Sequence, residues 1–139
     1  MSFDFERLYP YSNEEAASSF YEIWMTRQGN GIPVMEFQKT LDSETYRKLR
    51  QLLVKTADEG KITNKEFYRH IGEGVYEFKF RVSRLYSFND GRRVVLTHGA
   101  KKRSDRATDE RQKVCAIRVL YLEWRKGNEH REGNFQGRR

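Results

Sequence analysis

VYEFKFRVSRLYSFNDGRRVVLTH, residues 75–98, is the stretch whose reading decides the fold. Over 75–82 the side chains alternate: Tyr76, Phe78 and Phe80 share one parity, and Glu77, Lys79 and Arg81 share the other. A period of two marks an extended strand with one apolar and one polar face. Residues 84–88 (RLYSF) form a second such run, and Asn89-Asp90-Gly91 separates it from a third, 92–98. Asp-Gly between two strand-like runs supplies the residues that tolerate positive φ in a tight hairpin. The segment therefore reads as an antiparallel meander.

Upstream, the period changes to that of helices. Pro33 suits a first helical position, and Val34, Phe37 and Leu41 give a short helix its apolar stripe. Asp42 or Ser43 caps a second helix over 43–59, with Tyr46, Leu49, Leu52, Leu53 and Ala57 as its buried side and Gly60 as its stop. The two helices predict a hairpin over 33–59. Earlier still, Ser12-Asn13-Glu14-Glu15 is a capping box. Ala16, Phe20 and Trp24 then follow at helical spacing up to Gly29-Asn30-Gly31, which predicts a helix over 13–27. A strand over 20–26 with Tyr21, Ile23 and Met25 inward fits the same residues, and both readings stay open. Residues 1–12 read as irregular, broken by Pro10.

Downstream, Thr108-Asp109-Glu110 starts a helix whose stripe is Val114, Ile117, Leu120, Tyr121 and Trp124, giving 109–126. The tail 127–139 is Gly-rich and polar, a composition that predicts disorder. The expectation is one α+β domain over 1–126, with 1–30 as an N-terminal extension.

The chain has 139 residues and a net charge of +7. Residues 78–106 hold nine Lys/Arg against Asp90 and Asp105, so this window carries all of the excess, and the rest of the chain balances. A field confined to one quarter of the chain points to a polyanionic or acidic partner. No apolar run is long enough to cross a bilayer, and the N-terminus has no signal-peptide pattern. A single cysteine, Cys115, excludes an intramolecular disulfide and fits a reducing cytosol; on the last helix it reads as a small core residue. His70, His98 and His130 lie far apart, without carboxylates or thiols at ligand spacing, so neither a metal nor a cofactor is expected. There is no phosphate-binding glycine loop, nucleophile elbow or dinucleotide fingerprint.

What remains is a sheet face carrying Lys79, Arg81 and Arg84, continued by His98 and the Lys101-Lys102-Arg103 block. Like charges on one face repel, so the arrangement calls for an anion. Tyr86 and Phe88 read as core rather than as platforms for nucleobases.

EFYRHIGEGVYEFKF followed by SRLYSFNDGRRVVLTHGAKK resembles the RelE/ParE superfamily of toxins from type II toxin–antitoxin systems, in its HigB-like, phage-derived branch. PVMEF (33–37), Gly60, the Gly74–Lys79 strand, the Arg84–Phe88 strand and the Thr-His-Gly-x-Lys-Lys ending keep the order of elements seen there, over about 33–126. The resemblance implies a RelE-like fold, with an N-terminal helical hairpin packed on a small antiparallel sheet and a C-terminal helix. It also implies a metal-independent endoribonuclease that cuts mRNA on the ribosome in the cytoplasm and is neutralised by a cognate antitoxin, a helix-turn-helix protein. Carried over by motif, Lys79, Arg84, His98, Lys102 and Arg103 would be catalytic, and Arg81, Lys101 and Arg106 would hold RNA. The rival expectations are a catalytically silent module of the same fold that binds RNA, the ribosome or a protein, a ParE-like gyrase inhibitor, and a basic adaptor.

Overall fold

The computed structural model describes residues 2–60, 64–102 and 108–136. Strands come first, not helices. β1 (Phe3–Tyr9) and β2 (Glu22–Gln28) pair antiparallel, with the short helix α1 (Asn13–Ser18) between them. The expected irregular segment 1–12 is thus mostly strand: FDFE alternates, and Phe5 is buried. The expected helix over 13–27 begins as read, because the Ser12 hydroxyl accepts from the Glu15 amide at 3.1 Å. It stops at Ser18, and the strand reading holds for the second half of that segment: Ile23 and Met25 are buried on β2.

β2 leads into α2 (Pro33–Gln38) and α3 (Ser43–Glu59). Asp42 caps α3 by accepting from the Thr45 amide at 2.7 Å, and Gly60 ends it at φ +85. Leu49, Leu52, Leu53 and Ala57 are buried as expected, whereas Tyr46 is on the solvent side. The helix pair carries the chain across the sheet to β3 (Tyr68–Gly72), a strand the sequence reading left unassigned. The meander follows as β4 (Val75–Phe80), β5 (Ser83–Asp90) and β6 (Arg93–Lys101). α4 (Thr108–Gln136) then runs ten residues beyond the expected end at 126, through much of the segment expected to be disordered.

The sheet is six-stranded in the order β1-β2-β6-β5-β4-β3, antiparallel except where β2 meets β6 in parallel. It is larger than the small antiparallel sheet expected, and it is covered on both faces. α2 and α3 close one face over Ile23, Phe78, Leu85, Val94 and Leu96. α4 closes the other with Val114 and Tyr121 against Phe5, Val75, Phe88 and Val95. Tyr86 and Phe88 are core, as read. No helix among the described residues is long and apolar enough to cross a membrane.

Candidate functional site

The register of the meander builds the site. On the face that α4 covers farther along, Lys79 of β4 lies directly opposite Arg84 of β5, which lies opposite Ala100 of β6. The neighbouring row is Arg69 of β3, Glu77 of β4, Tyr86 of β5 and His98 of β6. Two adjacent cross-strand rows therefore bring residues from four strands together at one end of the sheet.

Glu77 sits at the centre. Strand alternation put it on the polar face with Lys79, but its side chain is 0% exposed. Its Oε1 accepts from Arg69 Nε at 3.1 Å and lies 2.8 Å from Arg69 Nη2. Its Oε2 lies 3.8 Å from Arg84 Nε. Arg84 Nη1 donates to the carbonyls of Arg81 and Ser83 at 2.6 and 3.0 Å. Those bonds brace the two-residue turn between β4 and β5, where Arg81 adopts φ +56, a backbone region uncommon for a residue with a Cβ.

Lys79 holds its proton less tightly than an ordinary lysine. Burial contributes most, followed by the positive charges of Arg69, Arg84 and Lys102, while Glu77 opposes the shift. Lys102 is fastened beside this cluster by its amide, which donates to the Val82 carbonyl at 2.7 Å. Residues 69, 79, 84 and 102 thus form one cationic group set around a buried carboxylate.

His98 belongs to the same end of the sheet, but both of its ring nitrogens are engaged. Nε2 meets the Glu110 carboxylate in the first turn of α4, and Nδ1 lies 2.9 Å from Thr97 Oγ1. The ring stacks on Tyr86 at 5.0 Å. A neutral imidazole satisfies both contacts, donating from Nε2 and accepting at Nδ1. Burial favours that form and pushes the His98 pKa below its ordinary value, against the pull of Glu110. Below the unfolded pKa of about 6.5 the unfolded chain takes up a proton that folded His98 resists, so this contribution is complete above that pH and is lost as pH falls toward the folded value. The stability gap between wild type and His98→Gln should therefore narrow in thermal melts taken from about pH 7.5 down to about pH 5.5. A gap that widens would mean that His98 and Glu110 form a charged pair.

Two of the expected RNA-holding residues lie elsewhere. Arg81 turns to Glu44 of α3, with Nη2 at 3.0 Å from Oε2, and lies over the Phe80 ring. β4 ends at Phe80, so Arg81 sits in the turn and no longer obeys the alternation that placed it beside Lys79. Lys101 is exposed at the end of β6, opposite Ser83 and one position out of phase with Ala100 and Lys102. Arg103 and Arg106 lie outside the described residues. Arg69 and Glu77 were not among the expected site residues: Arg69 sits in a strand without a clear alternating signal, and Glu77 is an acid within a run read for its cations. Cys115 is half-buried, and its thiol lies 3.2 Å from Glu73 Oε2.

A cavity of about 780 Å³ lies at the opposite end of the sheet, lined by Arg7, Glu22, Trp24, Arg93, Trp124 and Arg125 among others. Its cations serve the fold: Arg7 bonds the Pro10 carbonyl and Asn13, Arg93 covers the Trp24 ring at 4.1 Å, and Arg125 pairs with Asp90. Among the described residues, no group of three or more His, Cys, Asp or Glu is placed to hold a metal ion.

The family described as Phage derived protein Gp49-like (DUF891) matches residues 36–121, from α2 through the middle of α4. The chain belongs to this family. Gp49-like proteins belong to the RelE/Gp49 toxins of type II toxin–antitoxin systems, a role that implies a cognate antitoxin as partner. No curated protein matches the chain. The Gp49-like match contains every residue of the cationic cluster and leaves out β1, α1 and β2, the strand pair that extends the sheet beyond β6.

Proposed function

We propose that this Gp49-like toxin is an endoribonuclease of the HigB-like branch that cuts mRNA on the ribosome, in the cytoplasm, until a helix-turn-helix antitoxin neutralises it. The observation that carries the reading is the convergence of Lys79, Arg84 and Lys102, with Arg69, at one end of the sheet. The mechanism uses RNA's own 2′-hydroxyl. Lys79, with its weakened hold on a proton, takes the hydroxyl proton. The 2′-oxygen attacks the adjacent phosphorus, forms a bond to it, and expels the 5′-oxygen, leaving a 2′,3′-cyclic phosphate. Arg84 stays charged throughout and stabilises the non-bridging oxygens of the pentacoordinate state. Lys102 gives a proton to the leaving 5′-oxygen, and Arg103, the next residue in the chain, stays charged and holds the flanking phosphate. His98, with both nitrogens occupied, ties α4 to the sheet and supports the site without touching the substrate.

A mechanism of this kind needs the 2′-hydroxyl. Primer extension on ribosome-bound mRNA should locate the cut, and a 2′-deoxy substitution at that nucleotide should reduce cleavage to background. Equal cutting of the deoxy substrate would overturn the mechanism. A catalytically silent RNA-binding module is the second reading, favoured by the engagement of both His98 nitrogens, which leaves Lys79 to act as base unaided. It predicts arrested translation with intact mRNA.

A further inference from the structure

The buried carboxylate at the centre of the cluster has no part in the chemistry just described, and its surroundings are unusual. Glu77 is fully buried, yet its Oε2 has no hydrogen-bond partner, and neither does Arg84 Nε, 3.8 Å away. A buried charge half-satisfied in this way is unfavourable to the isolated fold, and an apolar residue would suit the position better. Its placement explains what it does. Three cations on adjacent rows repel one another, and among the described residues the carboxylate in those rows is that of Glu77, on the strand that also carries Lys79. Arg69 grips Oε1 through Nε and Nη2, while its side chain remains 41% exposed. Arg84 leans on Oε2 from the other side, and its side chain is 13% exposed.

We infer that Glu77 is the positioning residue of this site: its buried carboxylate holds Arg69 and Arg84 side by side, and Arg69, the more exposed of the two, binds an RNA phosphate next to the one that Arg84 holds. The inference rests on the ribonuclease reading and adds to it a residue that binds substrate and a residue that aims two others. Glu77 has a second effect. Its negative charge opposes the loosening of the Lys79 proton by burial and the neighbouring arginines, so removing that charge shifts Lys79 toward acting as a base at lower pH.

The test uses the full-length protein and a fluorescent 2′-O-methyl RNA oligonucleotide, which lacks the nucleophile and is bound without being cut. Arg69→Ala and Glu77→Gln should each weaken binding by about tenfold, the loss of one strong charge-assisted contact. Arg69→Lys should recover part of the loss, since it restores the charge but not the fork. Arg27→Ala, which removes a cation paired with Glu6 at the far edge of the sheet, should change binding less than about twofold. In cleavage assays Glu77→Gln should also move the rising limb of the rate against pH to lower pH, an effect that loss of packing alone does not produce. If Glu77→Gln does not fold, the Arg69 variants, which keep the carboxylate, decide the matter. Wild-type protein that cuts RNA while Arg69→Ala binds the oligonucleotide as tightly as wild type overturns this inference and leaves the ribonuclease reading standing. Wild-type protein that neither binds the oligonucleotide nor cuts ribosome-bound mRNA overturns both.

Discussion

Arg84→Ala is expected to reduce the cleavage rate by on the order of 10²–10³-fold, the usual effect of removing one preorganised donor from a developing oxyanion. Growth inhibition on expression should be lost with it. The substitution has a structural side as well, because Arg84 Nη1 holds the Arg81 and Ser83 carbonyls at the β4–β5 turn. Freeing those carbonyls and unbalancing Glu77 should destabilise the protein by about 1–3 kcal/mol, so the activity must be measured on a variant shown to be folded by its melting curve. Arg84→Lys separates the two roles. It keeps a charge near the phosphate and loses the fork, so it should fall between wild type and alanine in rate. A folded Arg84→Ala protein that arrests translation like wild type would remove Arg84 from the chemistry and weaken the case for the whole cluster.

The second large effect is structural and concerns Gly99, in the middle of the His-Gly-Ala-Lys-Lys stretch. A Cβ placed there would overlap Phe37 Cδ2 and come within 2.5 Å of its Cγ. β6 is pressed against the aromatic ring of α2 at this point, and the glycine is required by that approach rather than by its backbone angles. Gly99→Ala should destabilise the protein by about 1–3 kcal/mol through overpacking. For a chain of this size that lowers the melting temperature by roughly 4 °C per kcal/mol. The cause can be isolated with a double-mutant cycle. In a Phe37→Ala background the ring is gone, and adding Gly99→Ala should cost less than about 0.5 kcal/mol. An undiminished penalty in that background would show that the clash with Phe37 is not the reason. Because Ala100 and Lys101 complete β6 directly after it and Lys102 follows the strand, Gly99→Ala should also displace the segment that carries these cations.

Much of this architecture could be read without coordinates, and the legible parts share one property. The meander, the cap of α3 at Asp42, its stop at Gly60 and the start of α1 at Ser12 are all written in residues close together in the chain. Local signals failed where distant partners decide. Residues 20–26 fit both the helix read over 13–27 and a strand, and β2 won because Ile23 and Met25 pair in register with Val94 and Leu96 of β6, some seventy residues away. β1 exists because β2 offers it an edge. The tail past 126 is helical because α4 continues there, which its glycines did not suggest.

The candidate site divides along the same line. Lys79, Arg84 and Lys102, which lie together at one end of the sheet, are the residues that charge pattern and a family resemblance both single out. Arg81 has the same parity as Lys79 along the chain, but the strand ends between them, and it pairs with Glu44 on α3 instead. Arg69 was hidden because its strand shows no strong alternation.

By itself, the sequence determined that this protein is an α+β chain with a cationic meander, since strand period, turn chemistry and helix caps are local properties of neighbouring residues. Only the tertiary structure decided which cations meet and what holds them together. Whether a glutamate on an alternating strand faces water or lies beneath two arginines depends on what packs over that face, and that is set by residues remote in the chain.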